Sequence, residues 1–107
     1  MITKKLSDTI KGWYIGNFEK AIYKTTEFES AVKFDKAGTY YEKHYHQVCA
    51  EIIAVISGHI RINGKDFFHG DIILIEPGEQ ADFEAVLDSV TAITKSSSIP
   101  KDKFYAL

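Results

Sequence analysis

Two histidines one residue apart, His44 and His46, and an acid five residues further on, Glu51, are the side chains best placed to do chemistry. Successive side chains of a strand point to opposite faces, so His44 and His46 project to the same one. Two imidazoles in that relation can reach one metal ion. Glu51, after a bend or on the next strand, can return a carboxylate to the same point. Two His and one carboxylate make the facial triad of non-haem Fe(II), and the same donors suit Zn, Mn, Ni or Co. Three coordination positions then stay open for water, substrate or O2. A His-x-His pair alone is common on solvated strands. Glu51 sharpens the reading because it interrupts the otherwise apolar run Val48 to Ile56. An ionised carboxylate there is costly unless it is paired or metal-bound.

Parity extends the set. On a straight strand Tyr40 and Glu42 share the face of the two histidines, and Glu42 is then the candidate proton acceptor or partner of an imidazole. The alternative for Glu42 is a solvated place at the mouth of the site. Cys49, Ile53 and Val55 share the face of Glu51 and line an apolar pocket. A lone cysteine among apolar residues is most often inert core, and Cys49 is read that way against a role as nucleophile or soft ligand. His59 and His69 fall on outer strands and read as surface residues, and Glu76 with Glu79 reads as a solvated turn.

The elements that must position these groups are strands. Ala31 to Phe34 is short and rich in strand formers. Val48 to Ile56 is apolar on both faces, as in a strand buried on two sides. His59 to Asn63 alternates, and Asn63-Gly64 signals a type I′ hairpin turn into Lys65 to His69. Ile72 to Ile75, Gln80 to Val86 and Val90 to Thr94 complete the series, with a turn signal about every 8–12 residues, the spacing of an all-β sandwich or barrel. The aromatic, glycine-punctuated stretch Gly12 to Phe18 reads as part of an N-terminal arm, residues 1–18, packing on a barrel of residues 19–107 or on a partner.

Composition bounds the rest. The 107 residues make one domain, with 45% hydrophobic and 26% charged residues, a globular balance. Thirteen Lys and Arg against fifteen Asp and Glu give a net charge of -2, which argues against a broadly basic nucleic-acid binder. No apolar run reaches the roughly 18 residues that span a membrane, and the first residues lack the apolar core of a secretory signal. A soluble cytoplasmic protein is expected. The single cysteine leaves no disulfide within the chain.

The stretch Gly38, five residues, His44-x-His46, four residues, Glu51, six residues, Gly58 resembles, position for position, the first motif of the cupin superfamily. The second cupin motif is met in part. Gly70 and Gly78 are in register, Glu76 stands where proline is usual with Pro77 beside it, and Ala81 stands where the family places its last metal-binding histidine. The resemblance covers about Val32 to Val86 and implies a single-domain jelly-roll β-barrel with the site inside. It implies a divalent metal held by His44, His46 and Glu51, without the fourth ligand. If Ala81 faces inward, so do Phe83 and Ala85, while Gln80, Asp82 and Glu84 face out, which makes Asp82 a poor replacement ligand. The implied function is a metal-dependent protein acting on or holding a small molecule, with oxygenase or isomerase chemistry if it is an enzyme. The alternatives are a metal-free or vestigial cupin that binds a metabolite, sugar or nucleotide-like ligand without turnover, and a protein whose main surface is a partner interface. A homodimer is expected, because one face of the Val48 to Ile56 strand must find cover outside the barrel.

Overall fold

The structure is a computed structural model that describes residues 1–105. Among the described residues, ten strands form two five-stranded antiparallel sheets packed face to face. The first sheet contains β1 (Trp13–Ile15), β2 (Glu29–Asp35), β9 (Ser89–Lys95), β4 (Glu51–Ser57) and β7 (Ile72–Ile75), in that order. The second contains β10 (Phe104–Tyr105), β3 (Tyr40–Tyr45), β8 (Ala81–Ala85), β5 (His59–Ile62) and β6 (Lys65–Phe68). Apart from one short 3-10 turn at Leu6–Asp8, the chain between strands is turn and loop. No helix among the described residues is long and apolar enough to cross a membrane.

The hairpin β5–β6 turns on Asn63 and Gly64, whose φ values of 50° and 79° are those of the type I′ turn expected from the dipeptide. A second turn of this kind lacks so plain a signal. Lys11 (φ 53°) and Gly12 (φ 87°) reverse the chain between Ile10 and Trp13. The turn feeds β1 into the edge of the first sheet, so the N-terminal arm is partly a strand of the barrel. Gly12 is required there twice over, because a Cβ would lie 2.0 Å from the carbonyl oxygen of Val32.

The core lies between the sheets. Ile53 and Val55 of β4 and Ile93 of β9 meet Ile60, Ile62, Ala81, Phe83 and Ala85 of the second sheet, all buried, with Trp13, Tyr41 and Phe67 packed on their rim. Strand β8 alternates strictly, with Ala81, Phe83 and Ala85 inside. The segment expected as one strand from Val48 to Ile56 divides. Val48 is exposed in a loop, and β4 begins only at Glu51. Within β4, Glu51, Ile53 and Val55 face inward, and Ile52, Ala54 and Ile56 face away from the barrel.

Candidate metal centre

Strand β3 is not straight. Tyr41 pairs with Phe83 and His44 with Ala81, so Glu42 and Lys43 together oppose the single residue Asp82, a β-bulge. The extra residue inverts the parity upstream of the histidines. Tyr41 turns in against the core, its ring 5.6 Å from that of Phe83. Tyr40 faces outward, 56% exposed, and its hydroxyl donates to Asp82. The expectation that Tyr40 faces the same side as the histidines is thus corrected: Tyr40 points outward and Tyr41 turns in toward the core. Glu42 is also displaced. Its side chain is exposed in the bulge, and the residue acts on the site through its backbone carbonyl, which accepts a hydrogen bond from His44 Nδ1 at 2.9 Å.

His46 lies just past β3 and is buried. Its Nδ1 hydrogen-bonds the backbone carbonyl of Asp102, while its Nε2 is buried without any partner. A carbonyl only accepts, so both histidines carry their proton on Nδ1, and in the neutral rings both Nε2 lone pairs are free. The rings stand edge to face with centroids 5.4 Å apart. Burial pushes the His44 pKa down, only partly offset by its bond to the Glu42 carbonyl, which favours the neutral, metal-ready ring. Glu51, the first residue of β4, faces the pair, and one ligand atom from each of His44, His46 and Glu51 lies within 4.8 Å of the others. None of the salt bridges among the described residues involves Glu51. An orphaned buried imidazole nitrogen, a second free one and an unclaimed carboxylate fit a divalent cation. Donors sharing one ion through bonds of ~2.1 Å lie roughly 3–4 Å apart, so small side-chain rotations close the set.

The loop carrying His46 is pinned from the far end of the chain. The Asp102 carboxylate accepts from the backbone N–H groups of Gln47 (2.9 Å), Val48 (3.2 Å) and Cys49 (3.1 Å). Burial opposes ionisation of Asp102, but these donors outweigh it and hold its carboxyl below the usual range. Asp102 therefore fixes both the loop, through its carboxylate, and the His46 tautomer, through its carbonyl. Nothing local in the sequence marks it. Cys49 is buried against this carboxylate rather than on the strand with Glu51, and burial pushes its thiol up to about 11, an inert state.

Around the trio the interior is charged. Glu29, Lys95 and Glu51 stand side by side across β2, β9 and β4. Lys95 leans to Glu29 (3.3 Å) and over the Trp13 ring (4.8 Å), and Ser98 also donates to Glu29 (2.6 Å). On the next rows of β2, the Lys33 ammonium lies 4.5 Å above the Tyr41 ring, whose hydroxyl donates to Asp35 at 2.7 Å. Burial first, and that bond second, raise the Tyr41 phenol to about 12. The alternation of Glu29, Ala31, Lys33 and Asp35 was the available signal for these residues. Ala81 sits directly opposite His44, and its methyl group offers no donor there. Asp82 points out to the Asn63 amide and Tyr40. His59 pairs with Asp66 at 2.8 Å, His69 is exposed, and Glu79 caps the Glu76 amide in an exposed turn.

No protein-family model and no curated protein matches the sequence. Solved structures do match in shape. The chain superposes with a TM-score of 0.73 on an uncharacterized conserved protein with a double-stranded β-helix domain from Klebsiella pneumoniae, at 16% identity over 98% of this chain and 84% of that one. An RmlC-like cupin from Shewanella frigidimarina gives 0.64 at 18% identity, over 72% and 71%. The fold is a cupin fold. The DMSP lyase DddQ from Ruegeria pomeroyi shares it with a TM-score of 0.71 at 16% identity, over 88% of this chain, which spans only 49% of that longer one. In this fold one ligand atom from each of His44, His46 and Glu51 lies close enough to share an ion, while Ile53, Ala81 and Phe83 belong to the buried core cluster.

Proposed function

We propose that this protein is a divalent-metal cupin that binds and acts on a small molecule at the open positions beside His44, His46 and Glu51. The observation that carries the reading is the buried His46 Nε2, which has no partner although its own Nδ1 is fixed by Asp102. Leaving such an atom unsatisfied costs on the order of 1–3 kcal/mol, a cost that ligation removes. A divalent cation would supply Lewis acidity toward a substrate oxygen. The chain's part is to hold two neutral imidazoles and one carboxylate on one side, leave the Ala81 side open, and wall the interior with Tyr41 and the apolar core. Elemental analysis of purified protein tests this. Stoichiometric metal in the wild type and its loss in a His44→Ala/His46→Ala variant is expected; equal content in both rejects the site. Ala81 in the fourth place favours one second reading, a binder without turnover. Its mark is ligand retention after metal removal.

We also propose that a second copy of the chain covers the outer face of β4 and β7. Ile52 pairs with Leu74 and Ala54 with Ile72, giving a continuous apolar face on which Ile72 is 74% exposed, Leu74 56% and Ile56 55%. Light scattering should return twice the 12.1 kDa chain mass, and Ile72→Lys should return the single mass. A wild-type monomer at all concentrations removes the dimer.

A further inference from the structure

A cleft of about 580 Å³ opens along the edge of β2, and none of the three metal-binding groups lines it. The Lys11-Gly12 turn frames one side and Tyr41 the other. Its polar lining comprises Ser7, Thr9, Lys11, Lys33 and Asp35, and its apolar lining is Leu6, Val32, Phe34 and Tyr41.

Lys33 is the unusual group. It is half-buried, yet it takes part in none of the salt bridges among the described residues. Its ammonium rests on the Tyr41 ring, and the nearest acid on its own strand face, Asp35, is already engaged by the Tyr41 hydroxyl. Burial lowers its pKa, against the opposing pull of Asp35 and Glu51 and with the repulsion of Lys11. A half-buried cation in no contact ion pair, pulled only at longer range by Asp35 and Glu51, still carries a desolvation cost that a bound anion would lessen. Lys11 adds a second positive charge, presented by a residue held at φ 53°, a conformation that non-glycine residues adopt uncommonly.

We propose that this cleft binds a small organic carboxylate, with its charged end between Lys33 and Lys11 and its apolar body against Leu6, Val32 and Phe34. Asp35 on the same wall favours a monoanion over a phosphate dianion, since a second negative charge gains less there. The apolar lining favours a ligand with a hydrocarbon end over a bare inorganic anion. The ligand would touch none of His44, His46 and Glu51, since none of them lines the cleft, although the Glu51 charge still acts on Lys33 at longer range.

Amide chemical shifts of the full chain, titrated with sodium hexanoate, hexanol and inorganic phosphate, test the assignment. Hexanoate should shift the amides of Lys11, Gly12, Lys33 and Tyr41. Hexanol and phosphate should bind at least tenfold more weakly. Lys33→Met should weaken hexanoate at least tenfold, Lys33→Arg should restore most of it, and a well-dispersed spectrum of each variant shows that the fold is kept. The His44→Ala/His46→Ala variant should bind hexanoate as the wild type does, so that failure of the metal site and failure of this cleft read out separately. Equal affinity for hexanol and hexanoate, tighter binding of phosphate, unchanged affinity in Lys33→Met, or shifts confined to other residues would each overturn the proposal.

Discussion

Two neighbouring rows of the first sheet differ by one step of the pleat and do opposite work. In one, Ala31, Ile93, Ile53 and Ile73 stand side by side across β2, β9, β4 and β7, and the first three are at most 7% exposed. Two residues along the same strands, about 7 Å away, the next row reads Glu29, Lys95, Glu51 and Ile75. The strands, the face and the pairing are the same. The first row contributes by removing apolar surface from water. The second cannot contribute that way, and its charges must be matched one by one. Glu29 is matched by Lys95 and Ser98. Glu51 is left for the two imidazoles and whatever they share. The barrel thus places reactive groups where its apolar packing stops, and it holds them with the same strands that build the core.

Swapping the two rows' roles is the severest test of this contrast. Ile53→Ala should cost about 2–5 kcal/mol in denaturant unfolding, through lost burial and a cavity, while metal stoichiometry stays at the wild-type level. Glu51→Gln should abolish stoichiometric metal and leave the metal-free protein at least as stable as the wild type, because the deleted charge has no salt-bridge partner among the described residues. Metal loss in Ile53→Ala together with metal retention in Glu51→Gln would erase the distinction.

Asp102 carries a smaller share of the charged row's geometry. Asp102→Ala strips the acceptor from three loop amides while keeping the carbonyl that holds His46. It should weaken metal binding by roughly 10- to 100-fold in a calorimetric titration, the usual effect of losing a residue that orients ligands. Unchanged affinity would mean that the His46 loop needs no anchor.

The same contrast explains which features were readable from sequence. Strand β8 alternates without a break, so Ala81, Phe83 and Ala85 could be placed inside and Asp82 outside. Asn63-Gly64 fixed its hairpin because few other pairs adopt both left-handed conformations. Strand β3 defeated the same parity rule. A bulge moves every side chain upstream of it to the other face, and neither Glu42 nor Lys43 is of a type that demands one. Tyr40 and Tyr41 exchanged roles for that reason alone. Glu29 and Lys95 look like solvated charges one at a time, and only their pairing across β2 and β9 makes them interior. Asp102 is more than fifty residues from the loop it holds, a distance at which local pattern carries no information.

Restoring the missing donor sharpens the comparison from the other side. Ala81 lies opposite His44, so Ala81→His should add a ligand and tighten metal binding by about tenfold, equivalent to ~1.4 kcal/mol. No gain would place the ion away from β8.

The smallest effect concerns Lys33. Because its pKa is lowered in the folded state, the unfolded chain binds more protons in the alkaline range, and stability rises as pH climbs through the folded value toward 10.5. The wild type should therefore gain on Lys33→Met between neutral pH and that value in paired denaturant titrations. A pH-independent difference would show that Lys33 is well solvated.

The most direct measurement is anomalous diffraction from crystals of the protein as purified, collected at the absorption edge of the metal found by elemental analysis. A peak within bonding distance of His44 Nε2, His46 Nε2 and a Glu51 carboxylate oxygen is the predicted result. A metal peak bonded elsewhere, or none after soaking in Zn2+, Mn2+, Co2+ or Ni2+, would contradict it.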